Sequence, residues 1–226
     1  MRIWLLALAV CASGCVHFPS YRTLVRARPG SRVLIRDASV FSATGSGLLQ
    51  HQDVYVEDGL IASVAPTGEA READVVIDGA GKTVMPGLVD AHTHTTMSAL
   101  PPWYLAVPSP RHNLESFLYA GVTTVNDVGG SLEELAELER HLAEGEWEGP
   151  RVFFAGPIIT APKGYPVSMI EQVYGGLAAM VTSGKLATQV DTPERGALEV
   201  RRRHAAGASM VKIVVADIPH GAPRLS

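Results

Sequence analysis

The 226-residue sequence has two cysteines, few aromatic residues and no long hydrophobic run. No stretch reaches the roughly 18 consecutive apolar residues that a membrane-spanning helix requires. Basic residues are too few for a nucleic-acid partner, because 19 Lys and Arg against 23 Asp and Glu give a net charge of −4. The 22 glycines and 15 prolines are too scattered for a low-complexity chain. With 46% hydrophobic residues, the composition is that of a globular protein.

The N-terminus has the order of an export signal, with a basic start at Arg2, an apolar run over residues 3–10, and small residues before Cys15. The ending ASGC resembles the lipobox of bacterial lipoproteins, in which the cysteine carries lipid and becomes the mature N-terminus. We therefore expect a signal peptide over 1–14, a lipidated Cys15, a tether over 15–31, and export to the cell envelope or periplasm with a membrane anchor. Ordinary signal cleavage and a soluble exported protein are the alternative.

The mature chain divides into two regions with different sequence patterns. Residues 32–83 hold short β-branched runs, with Asp58-Gly59 as a hairpin turn, and predict a small antiparallel sheet. From residue 84, apolar strands alternate with helices, which predicts about four parallel βα units. The predicted strands are 83–92, 122–128, 151–155 and 210–215, and the predicted helices are 112–120, 131–145 and 192–207.

Two further features of the second part leave the interpretation open. The segment 156–190 is too long for an ordinary connection and predicts either a lid over a pocket or a packed insertion. The run of arginines at 201–203 and the isolated histidines His112, His141 and His204 have charged neighbours, so solvated positions are expected.

The motif with chemical content is Asp90-Ala91-His92-Thr93-His94, at the end of an apolar strand. Residues i and i+2 of a strand point to the same face, so His92 and His94 aim together. Two imidazoles on one face can bind one metal ion. Taken alone, the pair could also be two loop histidines that share this spacing.

Four segments together are similar to the amidohydrolase superfamily, in its imidazolonepropionase-like and prolidase-like branch: GKTVMPGLVDAHTH, GVTTVNDVGG, GPRVFFAGP and AAGASMVKI. The resemblance implies an α/β fold, here a partial (β/α)8 TIM-type barrel over 84–226 preceded by a β-sandwich portion over 32–83. It also implies one or two divalent ions, with Zn²⁺ expected, that activate water. The reaction implied is hydrolysis of a carbon–nitrogen bond in a small amide, cyclic amide or dipeptide.

The resemblance assigns metal ligands to particular residues. His92 and His94 match the pair that binds the first ion, and Lys212 matches a lysine that is carboxylated by CO2 and bridges two ions. The residue pattern also points to Lys212. Burial in the apolar run MVKIVV would favour the neutral amine, which is the form that can react with CO2. A strand-end lysine that reaches solvent, or a buried ion-pair partner, is the alternative. Asp127 is expected to have a structural or hydrogen-bonding role, and His220 is a candidate pocket residue.

The resemblance also implies ligands that this sequence does not contain. Two further histidines and the Asp that acts as general acid and base are expected beyond Ser226, so we expect an N-terminal fragment of the full enzyme. A different hypothesis is a non-catalytic envelope lipoprotein whose truncated barrel only binds a ligand or partner. A relative that hydrolyses phosphotriesters or lactones is a third hypothesis.

The lipobox predicts a change of location when Cys15 is removed. Cys15→Ser leaves no thiol at the lipidation position, so the protein should move from the membrane fraction to the soluble fraction, as measured by fractionation and mass spectrometry of the N-terminus. Cys11→Ser is the matched control, since Cys11 lies inside the predicted signal peptide and its loss should change nothing. A Cys15→Ser protein that stays in the membrane fraction would contradict the prediction.

Overall fold

The computed structural model describes residues 29–45, 47–69, 71–98, 108–176, 184–216 and 220–225. The signal peptide, Cys15 and most of the tether lie outside these residues. The chain forms two compact units, one up to Gly87 and the other from Leu88 onward. No helix in the described ranges is long and apolar enough to cross a membrane.

The first unit is a five-stranded sheet in the order β3-β2-β1-β4, with β5 also paired to β1. Its strands are β1 (Val33–Val40), β2 (Leu49–Glu57), β3 (Leu60–Pro66), β4 (Val75–Asp78) and β5 (Thr83–Val84). The β2–β3 hairpin turns at Asp58 and Gly59, both with positive φ, as the sequence predicts. The sheet is mixed rather than antiparallel, because β4 and β5 run parallel to β1.

The second unit alternates strands and helices, so the predicted mixed α/β composition is confirmed. β6, β7 and β8 form a parallel sheet in that order, and β9 pairs in parallel with β10. The strands are β6 (Leu88–Thr93), β7 (Val122–Asp127), β8 (Arg151–Phe154), β9 (Ile158–Thr160) and β10 (Ala187–Gln189). The helices are α1 (Pro110–Tyr119), α2 (Leu132–Ala143), α3 (Val167–Tyr174) and α4 (Pro193–Ala205).

The structure corrects two predicted strands. The run 83–92 is divided, with β5 in the first unit and β6 in the second, because Pro86 between them has no N–H to donate to a ladder. The predicted fourth strand, 210–215, is reduced to one parallel bridge between Ile213 and Ile159. Ile159 N–H donates to Lys212 O at 2.8 Å, and Val214 N–H donates to Ile159 O at 3.0 Å. This short contact joins the Lys212 segment to β9.

The segment 156–190 contains β9, α3 and β10, with residues 177–183 outside the described ranges. Val167 and Ile170 on α3 are buried, and β10 is hydrogen-bonded to β9. The described part of the segment is therefore packed, although the sequence left a lid and a packed insertion equally open.

Helices α1 and α2 cover one face of the parallel sheet. Leu114 of α1 and Leu138 of α2 pack with Val125 of β7 and Val152 of β8 in a buried cluster. The Ser131 hydroxyl accepts a hydrogen bond from Glu134 N–H, which caps α2. His141, at the other end of this helix, is not a solvated surface residue, because its ring stacks on Trp147 with centroids 4.2 Å apart.

Arg203 also differs from the predicted solvated helix face, since its side chain is only 1% exposed. Its guanidinium donates to Pro157 O, between β8 and β9, to the Thr188 hydroxyl of β10, and to the Glu199 carboxylate one turn earlier on α4. A buried cation needs such partners because desolvation is costly. Arg203 therefore attaches α4 to the β8–β9 connection and to β10.

Asp53 is the buried carboxylate of the first unit. Burial alone would raise the pKa of Asp53, but hydrogen bonds from Asp37 N–H, the Thr67 hydroxyl and Gly68 N–H to the carboxylate outweigh burial and lower it. These bonds connect β1, β2 and the turn after β3, so the charged carboxylate stabilises the folded sheet.

Asp53→Asn should lower the free energy of unfolding by about 1–2 kcal/mol at pH 7, since hydrogen bonds to a charged acceptor are lost. Because the folded-state pKa is depressed, the carboxylate's contribution is complete above the unfolded pKa of about 3.9 and is lost as pH falls through the folded value. The difference between the two proteins in urea unfolding should therefore shrink below about pH 4. Glu57→Gln, at an exposed position, is the control; a pH-independent difference would refute the carboxylate's role.

Candidate metal centre

His92 is the penultimate residue of β6, and His94 follows the strand. Their rings lie close together, with centroids 5.9 Å apart in an edge-to-face arrangement. Two imidazoles bound at about 2.0–2.1 Å to one tetrahedral ion have ring centres about 5 Å apart. The separation of the two rings is therefore close to that of two imidazoles bound to a single ion.

One hydrogen bond sets the orientation of the His94 ring. Its Nδ1 lies 3.0 Å from Gly129 O, which can only accept, so Nδ1 carries the proton and donates. The lone pair is then on Nε2. Imidazoles that bind metals in proteins regularly use their second nitrogen in this way, so His94 fits the role of a ligand through Nε2.

The contact between His94 and Gly129 depends on glycine. A Cβ at residue 129 would lie 3.1 Å from His94 Cε1 and 3.5 Å from a side-chain carbon of Ile158. A Cβ at residue 130 would lie 3.0 Å from the Thr96 hydroxyl oxygen. The Gly129-Gly130 pair after β7 therefore allows the His94 segment to approach closely.

Asp127 holds the chain that follows His94. Its carboxylate is fully buried and accepts from Thr95 N–H and the Thr95 hydroxyl, both at 2.6 Å, and from Gly129 N–H at 3.0 Å. Asn113 of α1 donates to Thr95 O and Met97 O, which fixes the same turn from the other side. His94 Nδ1 is 3.9 Å from the carboxylate, beyond hydrogen-bond range. In this arrangement Asp127 positions the His94 turn.

Among the other candidate residues, Asp127 lies beside His94, whereas Lys212 and His220 lie on the segment that follows α4. Lys212 is half-buried in the segment bridged to β9, and His220 is exposed in a turn beyond it. No three His, Cys, Asp or Glu side chains of the described residues are close enough to hold an ion together. A hollow of about 550 Å³ lies between β9, the start of α4 and residues 224–225, and none of the predicted site residues line it. Within the described part of the chain, the two adjacent histidines are the candidate ligands.

Sequence reasoning missed three residues that support the pair, namely Asp90, Thr95 and Asn126. Asp90 Oδ1 accepts from His92 N–H, and Asn126 Nδ2 donates to Ala91 O. Asn126 could have been singled out from the sequence, since asparagine is depleted in strand interiors and here lies within the strand VTTVNDV. Thr95 carried none, because a threonine after a strand is common.

Asp127→Asn should destabilise the protein by about 3 kcal/mol, because the new amide NH2 would face a backbone N–H, of Thr95 or of Gly129, and the charged acceptor is lost. The free energy of unfolding in urea measures this. Glu139→Gln, at an exposed position of α2, is the matched control and should change stability by less than about 0.5 kcal/mol. Equal stability of the two variants would show that Asp127 does not hold this turn.

The chain is similar in sequence and fold to characterised proteins. A prolidase crystallised with N-methylphosphonate-L-proline superimposes with a TM-score of 0.65 and 26% identity, covering 82% of this chain and 47% of the prolidase. D-hydantoinase from Streptomyces coelicolor is 37% identical over 124 residues, which cover 51% of this chain and 26% of that enzyme. Adenine deaminase from Chelativorans is 29% identical over 178 residues, covering 76% of this chain and 27% of that protein.

The chain therefore spans about a quarter of these two curated relatives and just under half of the prolidase structure. The profile of the amidohydrolase family matches residues 83–224, well over half of the chain and a region that contains β6, the histidine pair and Lys212. On this match the chain belongs to the amidohydrolase family.

Proposed function

We propose that this chain is the N-terminal part of a metal-dependent amidohydrolase, which hydrolyses a carbon–nitrogen bond in a small amide, cyclic amide or dipeptide. The observation that carries the proposal is the His92–His94 pair at the carboxyl end of β6, with His94 Nδ1 fixed by Gly129 O. The carboxyl ends of parallel strands are where α/β barrels place their catalytic residues. Family membership supports the same conclusion.

In the complete protein, the parallel sheet β6-β7-β8 would be the first part of a (β/α)8 barrel. The strand order follows the chain order, and α1 and α2 connect neighbouring parallel strands, as in such barrels. The Lys212 segment would continue the sheet beyond β9, to which Ile213 is already bridged. The first unit would supply part of a β-sandwich. The closing strands, two further histidines and the Asp that moves protons would come from polypeptide beyond Ser226.

The proposed cofactor is one or two divalent cations, most simply Zn²⁺, which would lower the pKa of a water molecule and polarise a carbonyl oxygen. His92 and His94 would hold the first ion, His94 through Nε2. Lys212, carboxylated by CO2, would bridge to a second ion. Asp127 and Gly129 would keep His94 in its tautomer and orientation, in the way that residues around a metal site orient its ligands.

The proposed substrate is a small molecule, on the basis of the relatives. Their names denote a hydantoinase, a deaminase and a prolidase, all of which are consistent with a carbon–nitrogen bond as the target. We propose no nucleic-acid partner, since the chain is acidic. A lipid on Cys15 would place the enzyme at a membrane of the cell envelope.

His92→Ala in the protein as its host produces it should lose bound zinc and hydrolytic activity together, because one of two adjacent ligands is gone. Zinc content is measured by atomic emission of the purified protein, and activity with a panel of dipeptides, hydantoins and amides. His204→Ala, an exposed histidine of α4, is the control and should keep both. Unchanged zinc content in His92→Ala would overturn the ligand assignment, and zinc-free wild-type protein would favour a non-catalytic binding role.

A further inference from the structure

The pairing of β6 with β7 slips by one residue directly below the histidine pair. Asp90 pairs with Val125 and Thr93 pairs with Asp127, so Ala91 and His92 lie opposite the single residue Asn126. Two residues opposite one define a β-bulge, which redirects the side chains of the strand that carries it. His92 is therefore one of the two bulged residues.

Two side chains bond to the backbone of this bulge. His92 N–H donates to Asp90 Oδ1 at 3.0 Å, and Ala91 O accepts from Asn126 Nδ2 at 3.2 Å. The bulge thus has an acceptor supplied from its own strand and a donor supplied from the neighbouring strand. Both bonds are made by the same peptide group, the one that joins Ala91 to His92.

Asn126 is an unusual residue for its position. Its neighbours Val125 and Asp127 are fully buried, and asparagine is disfavoured within strands. Its Oδ1 is buried and has no hydrogen-bond partner in the described part of the chain. An unsatisfied oxygen costs free energy that a branched apolar side chain would avoid. The bond from Nδ2 to Ala91 O is the contribution that only the amide makes here.

We propose that Asn126 and Asp90 are positioning residues, which hold the β6 bulge and thereby aim His92 toward the ion shared with His94. That His92 is aimed at an ion rests on the proposed function, whereas the bulge and its two hydrogen bonds belong to the metal-free chain. Residues that orient metal ligands typically change metal affinity 10- to 100-fold when they are replaced.

The test compares Asn126→Leu and Asn126→Asp with Thr124→Val. Leucine fills similar space without a donor, and aspartate is nearly isosteric but places a carboxylate next to Ala91 O. Thr124 is two residues earlier on the same strand and is the matched control. It pairs with Val89, outside the bulge at Ala91 and His92 and next to a separate register shift between Leu88 and Val89. Asp90→Ala removes the acceptor for His92 N–H, and Asp90→Asn keeps an acceptor oxygen.

Amide hydrogen exchange of His92 is measured by NMR in the metal-free protein, and zinc affinity by chelator competition. We expect exchange about tenfold faster and zinc affinity at least about tenfold weaker in Asn126→Leu, Asn126→Asp and Asp90→Ala. Asp90→Asn and Thr124→Val should remain within about threefold of the wild type in both measurements.

Unchanged His92 exchange in Asn126→Asp and Asp90→Ala would overturn the proposal, even if Asn126→Leu failed to fold. Faster exchange without a loss of zinc affinity would also overturn it, because the bulge would then not aim His92. A wild-type protein that binds no zinc would refute the proposed function, and the exchange rates of the metal-free variants would still decide whether Asn126 and Asp90 hold the bulge.

Discussion

The buried carboxylate of Asp127 is the interaction on which the candidate site depends. It accepts three hydrogen bonds, two from Thr95 and one from Gly129, and no solvent reaches it. These bonds tie the turn after His94 to the end of β7. Because the same end of β7 leads to the Gly129 carbonyl that receives His94 Nδ1–H, one buried anion fixes both the backbone and the tautomer of this histidine.

The support for the two histidines differs in kind. His94 is held through its ring by the carbonyl of Gly129, a residue whose Cβ, if present, would lie 3.1 Å from the ring. His92 is held through its backbone, in a bulge bonded by Asp90 and Asn126. The hydrogen bond to the His94 ring and the hydrogen bonds of the bulge are both present without a bound ligand, so the pair is preorganised at the carboxyl end of the sheet. The described residues provide this one corner of a site, in keeping with a chain that covers 47% of a related prolidase.

Sequence patterns predicted the features that depend on local rules. The hairpin turn at Asp58-Gly59 follows from the backbone preferences of two residues, and the predicted helix 131–145 forms as α2. The closeness of His92 and His94 follows from the two-residue repeat of a strand, although the bulge modifies it. The family resemblance of the sequence was correct, as the match over residues 83–224 shows.

Features that depend on distant partners were not predictable. The apolar run 210–215 has the composition of a strand, but a strand requires a paired neighbour. Among the residues that the structure describes, Ile213 alone of this run has one. The sequence predicts Arg203 as part of a solvated arginine cluster. In the fold it donates hydrogen bonds to Pro157 O and the Thr188 hydroxyl, which are remote in sequence. The parallel pairing of β1 with β4 likewise comes from long-range assembly, whereas hairpin signals report only adjacent strands.

Zinc-edge X-ray absorption of the complete, zinc-loaded protein is the most direct test of whether His92 and His94 bind the ion. We expect imidazole scattering from at least two histidines, with nitrogen at about 2.0–2.1 Å, and no sulfur ligand. His92→Ala and His94→Ala should each reduce the imidazole contribution. A zinc shell without imidazole, or one that is the same in both variants as in the wild type, would contradict the assignment of this pair as the metal-binding corner of the site.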